Sequence, residues 1–247
     1  MKTEVMLLKS LGTTLYLDVG ANVGQTGQKL RKEGYKGRIA SFEPLAQCFT
    51  KLQAAAQGDP GWQTFHMALG NRSERASIGV SKNLQSRSIL PVTDHYVQVY
   101  YRNAYTHHEE TAVERLDAML PELARPGDTI HLKLDTQGYE RFVIEGAEGV
   151  LDSIASVQME VAVTPMYEGE MVMHEAIALM HSKGYLLIDV DHAFKDPRSG
   201  EATHFDLLFR RGGLDHRLTA PPLDQSLKAR FKRWNRARLQ RRREGRA

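Results

Sequence analysis

The chain has 247 residues, 41% of them hydrophobic, which suffices for one sizeable core and is short for two. Its one cysteine, Cys48, excludes an intrachain disulfide framework. The net charge of +3 is uneven, because residues 228–246 carry +9 and the rest of the chain carries −6. The body is therefore mildly acidic, and the basic balance does not indicate a nucleic-acid-binding domain.

The predicted elements of the first half alternate between strands and helices. The strands are predicted at 14–19, 38–43 and 62–69, with short or hairpin strands at 75–82 and 86–92. The helices are predicted near 24–33 and 45–57, ending at Gly34 and at Gly58-Asp-Pro60. Residues 93–110 are polar and aromatic, which predicts a surface loop or lid, and a short strand and helix follow at 111–121.

The second half continues the alternation. Strands are predicted at 130–135, 157–163, 185–190 and 205–209, and helices at 139–153 and 170–183. Strands that alternate with helices predict an α/β fold with a mostly parallel sheet covered on both faces. We expect a lead-in over residues 1–12, one folded domain over 13–212 and a basic tail over 213–247.

The first ten residues hold too short an apolar run for a signal peptide. No stretch approaches the ~20 apolar residues of a membrane-spanning helix. A single cysteine also fits a reducing compartment. These features predict a cytoplasmic protein.

The first predicted strand runs into a turn of small residues, Gly20-Ala-Asn-Val-Gly24. Such a turn lets a ligand approach the backbone closely, and ligands bind at the carboxyl ends of the strands in α/β sheets. The next strand ends in Glu43, about 20 residues further on, where a ribose would offer its hydroxyls. The pattern predicts a nucleoside-bearing cofactor; the alternative is a tight connection found in any α/β protein.

The turn favours one cofactor over another. A dinucleotide site usually carries G-x-G-x-x-G, and this chain has Asn22 in place of the middle glycine. Asp18 beside the turn would repel a pyrophosphate but suit a cation. S-adenosylmethionine carries a sulfonium, an ammonium and a ribose, so we expect it rather than a nicotinamide dinucleotide.

Three acids follow strands of the second half. Asp135 ends the strand 130–135, Glu140 starts the next helix, and Glu160 lies near the end of the following strand. One carboxylate can orient or deprotonate an acceptor hydroxyl, while another holds a substrate group. The alternatives are a strand-end cap of a turn for Asp135 and a first-turn helix acid for Glu140.

The histidines are less specific. His107 and His108 lie in the predicted loop and could serve as base, metal ligand or ordinary surface. His66 and His131 lie within strand patterns, which predicts core residues. No pair has the spacing of a zinc site, so we expect no protein-bound metal. Cys48 is expected in the core of a helix.

Eight short motifs occur in a fixed order. They are Asp18-Val-Gly-Ala-Asn-Val-Gly-Gln25, Phe42-Glu-Pro44, Ala68-Leu-Gly70, Ser86-Arg-Ser-Ile-Leu90, Val113-Glu-Arg-Leu-Asp117, Leu132-Lys-Leu-Asp-Thr-Gln-Gly-Tyr-Glu140, Glu145-Gly-Ala147 and Gln158-Met-Glu160. Together they resemble the FkbM family of S-adenosylmethionine-dependent methyltransferases over roughly residues 13 to 210. The resemblance implies a Rossmann-like class I fold with a seven-stranded, mostly parallel sheet and helices on both faces.

The resemblance also implies site residues and chemistry. The cofactor turn of the family maps onto Asp18, Gly20, Asn22 and Gly24, its ribose acid maps onto Glu43, and we add the neighbouring Ala21, Pro44 and Ala68. Methyl transfer in the family usually goes to a hydroxyl of a sugar, polysaccharide or polyketide. Thr136-Gln-Gly138 stands where many relatives carry Val-Glu-Gly, a variant that favours a saccharide acceptor. Asp135, Glu160 and His108 are our candidates for the catalytic groups.

Two other functions are compatible with such a fold. One is a regulatory module that binds a nucleoside without catalysis, and the intact turn, Glu43 and Asp135 argue against it. The other is a nicotinamide-dependent dehydrogenase, which the missing middle glycine disfavours. The expected partner is a saccharide or small-molecule acceptor, with no specific nucleic acid.

The tail carries an apolar stripe among its basic residues. Within 225–243, Leu227, Phe231 and Trp234 fall on one helical face, and Lys and Arg fill the remainder. This pattern suits an anionic membrane surface, such as the inner face of the cell membrane. Two other interpretations stay open: a solvated tail, or a helix that docks on the acidic body of the protein.

The membrane hypothesis predicts co-sedimentation of the protein with anionic vesicles and not with neutral ones. The bound fraction should fall as salt is added, because each basic residue contributes about 1 kcal/mol through a screened attraction. Truncation after Asp224 should abolish binding. Equal sedimentation of the full-length and truncated proteins would contradict the hypothesis.

Overall fold

The structure is a computed structural model that describes residues 2–82, 87–99, 104–196 and 200–212. The tail 213–247, including the stripe 225–243, lies outside these residues, as do Tyr100 and Tyr101 of the expected loop. The hypotheses about them therefore stay predictions. Among the helices of the described ranges, none is long and apolar enough to cross a membrane.

The elements alternate as the sequence predicts. The strands are β1 (Leu15–Val19), β2 (Arg38–Phe42), β3 (Trp62–Phe65), β4 (Ala68–Leu69), β5 (Glu74–Ser81), β6 (Arg87–Ser88), β7 (Tyr105–Glu114), β8 (Ile130–Leu134), β9 (Ile154–Ala162), β10 (Tyr185–Lys195) and β11 (Ala202–Arg211). The helices are α1 (Lys2–Leu11), α2 (Gln25–Lys32), α3 (Ala46–Ala56), α4 (Asp94–Val99), α5 (Leu116–Leu123), α6 (Glu140–Gly146) and α7 (Met173–Ser182). The helix predicted over 139–153 is shorter than expected and is followed by a 3₁₀ turn at Leu151–Ser153.

The main sheet has seven strands in the order β10-β11-β9-β8-β1-β2-β3. The pairs β1–β2, β1–β8, β2–β3 and β8–β9 are parallel, and β11 runs antiparallel to both of its neighbours. This confirms the predicted Rossmann-like, mostly parallel sheet. Val19 of β1 lies opposite Phe42 and Leu134, so the residues that follow these three strands meet at one edge of the sheet.

Helices cover both faces of the sheet, because β1, β2 and β8 are almost continuously buried and need apolar partners on each side. One core joins the sheet to α5, α6 and α7 through Leu17, Leu132, Leu120, Val143 and Ala176. The opposite core joins it to α1, α2 and α3 through Tyr16, Ile39, Leu8, Leu30 and Leu52.

The lead-in at residues 1–12 is largely helical. Leu7 and Leu8 of α1 are buried, and the Tyr16 hydroxyl donates a hydrogen bond to Glu4 Oε1 at 2.7 Å. Burial raises the pKa of Glu4 above its usual value. The helix therefore packs as a layer of the domain, which the sequence analysis did not predict.

A second sheet of four strands, in the order β4-β7-β5-β6, corrects the prediction for residues 62–69. This segment is not one strand, because β3 belongs to the main sheet while β4 pairs with β7. His66 lies between them, exposed and stacked on the Phe49 ring with centroids 4.6 Å apart, so the prediction of a core residue is wrong. His131 is a core residue as predicted, and its Nδ1 lies 2.7 Å from Ser156 Oγ.

The loop predicted over 93–110 is wrong for most of its described residues. Residues 94–99 form α4, and β7 begins at Tyr105 and pairs with β5 over most of its length. His107 and His108 are therefore exposed strand residues rather than loop residues.

Residues of three motifs connect the second sheet to the rest of the domain. A Cβ on Gly146 would lie 1.8 Å from the carbonyl oxygen of Gly70, so the α6 backbone packs directly on the chain after β4. Asn71 Nδ2 donates to Glu145 Oε2 at 2.9 Å, and the Arg115 guanidinium donates to Asp117 and to the Asn71 carbonyl. The glycines and charges of these motifs are thus explained by packing.

We predict that Gly146→Ala destabilises the protein. The added methyl group meets backbone rather than a flexible side chain, so the free energy of unfolding should fall by about 1–3 kcal/mol, with a loss of several degrees in Tm. Gly149→Ala is the matched control, since its Cβ would make ordinary contact with Asp117 at 3.4 Å. Equal melting temperatures for both variants in thermal unfolding would contradict the packing interpretation.

Candidate functional site

A cavity of about 450 Å³ opens at the carboxyl edge of β1, β2 and β8. Five predicted site residues line it: Gly20, Glu43, Pro44, Ala68 and Asp135. That volume includes space that is open to solvent. The shared edge of parallel strands thus brings together residues that are far apart in the sequence.

The turn after β1 is shaped by its neighbours. Gly20 has φ 82°, and a Cβ there would lie 1.9 Å from the Asp135 carbonyl oxygen. Gly24 has φ 86° and begins α2, and Asn22 also adopts a left-handed conformation with φ 52°. A glycine is therefore required at position 20 because the chain after β8 leaves no room for a side chain, whether or not a ligand is bound.

Backbone amides of the turn are used within the protein. The N–H groups of Gly20 and Ala21 both donate to the Phe42 carbonyl at 3.0 Å. The Ala21 side chain is buried in the core that contains Tyr16, and Ala21, Asn22 and Gly24 do not line the cavity. These three residues therefore shape the backbone of the turn rather than the wall of the cavity.

Glu43 is the most connected acid of the site. Its Oε2 accepts from Asn22 N–H at 2.8 Å and from the Arg87 guanidinium at 3.1 Å, and its Oε1 accepts from Leu45 N–H at 2.9 Å. Burial raises its pKa, and Arg87 with the two amides offsets part of that rise. The sequence analysis assigned no role to Arg87, although it lies in the Ser86–Leu90 motif.

Asp18 does not line the cavity, and its contact with a cofactor cation stays a prediction. It lies within β1, with Ser41 and Lys133 as its neighbours in register, and it is fully buried. Its Oδ1 lies 3.6 Å from Lys133 Nζ, and burial raises its pKa. The cation that Asp18 meets is therefore a lysine of the protein.

Lys133 is a neighbour of the site acids that was not predicted from the sequence, and the signal was a charge inside a buried strand. Its Nζ lies 3.2 Å from Asp135 Oδ2. Burial alone would lower the pKa of Lys133, but Asp135 and Asp18 raise it above its usual value. Burial alone would raise the pKa of Asp135, but Lys133 and a hydrogen bond from Gln137 hold it below its usual value. Asp135 is thus kept ionised, and its side chain is 34% exposed.

Glu160 does not line the cavity. Gln137 joins it to Asp135: Nε2 of Gln137 donates to Asp135 Oδ1 at 3.1 Å and to Glu160 Oε2 at 2.9 Å. Burial and the Asp135 and Asp206 carboxylates raise the pKa of Glu160 to about 9. Glu160 is therefore protonated at neutral pH while Asp135 is ionised.

Glu140 closes the turn that follows β8. Its Oε1 accepts from the Thr136 N–H at 2.7 Å and from the Thr136 hydroxyl at 2.9 Å. It is buried, and that burial raises its pKa to about 7. Its contacts are structural, in keeping with the first-turn acid considered above.

His108 does not line the cavity. It is exposed on β7, opposite Gly79 of β5. The described tyrosines of the expected lid are also packed: the Tyr105 ring covers Gly79 and its hydroxyl donates to the Leu90 carbonyl at 2.7 Å, while Tyr96 packs edge-on against Tyr167. Both rings therefore pack against other residues of the protein, so the prediction of a polar surface loop is wrong for them.

Comparisons with solved structures find distant likenesses. The methyltransferase domain of bacterial CtHen1-C matches at 10% identity and a TM-score of 0.46, over 86% of this chain and 96% of that chain. An rRNA methylase from Streptococcus thermophilus matches at 9% identity and a TM-score of 0.45, over 83% of this chain and 94% of that chain. The search of curated proteins finds no match.

The sequence itself matches a family. The pattern of the Methyltransferase FkbM domain covers residues 18–187, which is more than half of the chain. It spans the cavity, the Gly20–Gly24 turn and the acids at the ends of β2 and β8. The chain belongs to the FkbM methyltransferase family.

Proposed function

We propose that the protein is an S-adenosylmethionine-dependent O-methyltransferase that acts on a hydroxyl of a saccharide or a related metabolite. The observation that carries the proposal is one cavity with Glu43 on one wall and the ionised, partly exposed Asp135 on another. In this proposal, Glu43 as the ribose acid and Asp135 as the proton acceptor act at the same ligand site.

The residues present fit the cofactor. The cavity has apolar walls for a purine ring, formed by Phe42, Met67, Leu69, Ile78 and Ile89. A carboxylate offers roughly four acceptor positions. Three of those of Glu43 are filled by described residues, and its side chain is fully buried, so a ribose hydroxyl would reach the remaining position only where ligand binding opens the cavity to it.

Asp135 would serve as the base. When bound, S-adenosylmethionine supplies an electrophilic methyl group. A hydroxyl that attacks it must lose its proton, and the Asp135 carboxylate can accept that proton. Lys133 holds Oδ2 and Gln137 holds Oδ1, so the carboxylate is fixed in orientation while each oxygen keeps lone-pair capacity for a substrate hydrogen.

A hydroxyl-rich acceptor fits the polar groups of this wall. Asp135, Thr136 and Gln137 follow one another along the cavity, and each carries hydrogen-bonding capacity. The Thr-Gln-Gly variant of the family motif supports the same choice. Contact of residues 225–243 with an anionic membrane remains a separate prediction.

Cofactor binding can be tested by calorimetry with S-adenosylhomocysteine. Glu43→Gln keeps the side-chain size but removes the charge, and we expect affinity to fall by about 10- to 100-fold through the loss of charge-assisted hydrogen bonds. Asp59→Asn is the matched control, because it breaks the Arg31–Asp59 ion pair away from the cavity. Unchanged affinity in a folded Glu43→Gln protein would refute the assignment.

The chemical step can be tested with Asp135→Asn. It keeps the shape and removes the base, so kcat for methyl transfer to glycans of a source-cell lysate, measured by mass spectrometry, should fall by about 10²–10⁴-fold. Affinity for S-adenosylhomocysteine should change little. Asp206→Asn is the control, because Asp206 also interacts with Lys133 but does not line the cavity. Turnover within a few-fold of wild type in Asp135→Asn would reject this role.

A further inference from the structure

Gln137 has an unusual backbone conformation. Its φ is 55°, and the following Gly138 has φ 93°, so two consecutive residues are left-handed. Residues with a Cβ rarely adopt this conformation, other than Asn and Asp. Strained residues of this kind cluster at functional sites. A glycine at 137 would relieve the strain, so the side chain is the feature to explain.

That side chain makes three hydrogen bonds. Both hydrogens of Nε2 are used, one on Asp135 Oδ1 at 3.1 Å and one on Glu160 Oε2 at 2.9 Å. Its Oε1 accepts from the Tyr167 hydroxyl at 3.4 Å. Tyr167 is almost fully buried and packs against Gly138. The amide is therefore held at both ends by groups that cannot easily move.

Glu160, Gln137 and Asp135 form a hydrogen-bonded chain that leads from the interior of the protein to the cavity. Glu160 lies on β9 and does not line the cavity, whereas Gln137 and Asp135 do. An acid at position 137 would place a third carboxyl group beside Asp135 and Glu160 and could not donate to both. A glutamine can, because an amide N–H2 has two hydrogens.

We propose that Gln137, anchored by Glu160, is a positioning residue that fixes the orientation of the Asp135 carboxylate toward the acceptor. The inference rests on the proposed role of Asp135 as the base. Glu160 acts in it only as a hydrogen-bond acceptor for Gln137. It is therefore a second positioning residue and not a proton donor.

The surrounding charges agree with this arrangement. The charged groups that act on Glu160 are Asp135, Asp206, Glu140 and Lys133. Burial comes first and these acids add to it, so the pKa of Glu160 is raised to about 9, and a protonated carboxyl group still accepts a hydrogen bond on its carbonyl oxygen. Gln137 contributes to the lowered pKa of Asp135 by donating to its ionised form.

The test measures the titration of Asp135 directly. Carboxyl-carbon NMR of the full-length protein saturated with S-adenosylhomocysteine is recorded against pH, with Asp135→Asn to assign the signal. Gln137→Leu removes the donor, and we expect the pKa of Asp135 to rise by about one unit. The acid limb of the kcat profile should move by the same amount, and kcat should fall about tenfold with cofactor affinity unchanged.

Further variants keep the test decisive. Gln137→Asn suits a left-handed backbone but is too short to reach both acids, so it should show the same shift even if the leucine variant unfolds. Glu160→Gln, whose amide oxygen accepts the same bond, should recover most of the loss seen in Glu160→Leu. Gln28→Leu, on an exposed position of α2, is the control.

The outcomes separate the two proposals. If Asp135→Asn is inactive but both Gln137 variants leave the pKa and kcat unaltered, the positioning role is wrong. If Glu160→Gln is as damaging as Glu160→Leu, Glu160 is not a simple acceptor. If the protein does not bind S-adenosylhomocysteine, the proposed function fails, and the NMR titration without ligand still decides whether Gln137 controls Asp135.

Discussion

The Lys133 ammonium lies between two carboxylates, Asp18 at 3.6 Å and Asp135 at 3.2 Å, near the centre of the seven-stranded sheet. Burying any of these charges alone would cost several kcal/mol. The Lys133 ammonium offsets the cost of burying Asp18 and of keeping Asp135 ionised at the cavity. The pKa of Glu160, by contrast, is raised first by burial and then by the Asp135 and Asp206 carboxylates. Burial and the neighbouring charges together determine which of these acids binds a proton more tightly.

Close packing of backbone supports this charge arrangement. The end of β1 contacts the end of β8 at Gly20, and α6 contacts the chain after β4 at Gly146. The first contact fixes the chain at Asp135, and the second fixes the end of α6, the helix that follows. Several motifs that resemble the methyltransferase family are therefore constraints of packing. In the proposed function, the acids they hold in place carry the chemistry.

Much of the main sheet could be predicted from the sequence, because β1, β2 and β8 are short apolar runs bounded by turns, and their ends match the predictions within one residue. Parallel pairing then placed Gly20, Glu43 and Asp135 together. The second sheet could not be predicted, since β4 and β6 have two residues each and β4 pairs with a strand some 45 residues away. The neighbour of Asp18 could not be predicted either, because only the register of β1 with β8 shows Lys133 beside it.

The contact between Gly20 and the Asp135 carbonyl makes the two turns of the site one mechanical unit. A homologue that had lost methyl transfer would still need a glycine at position 20, because the constraint comes from its own backbone. A glycine at position 20 therefore indicates common ancestry and a common fold rather than activity. Under the proposed function, the side chain at position 135 would say more about activity than the glycine turn does.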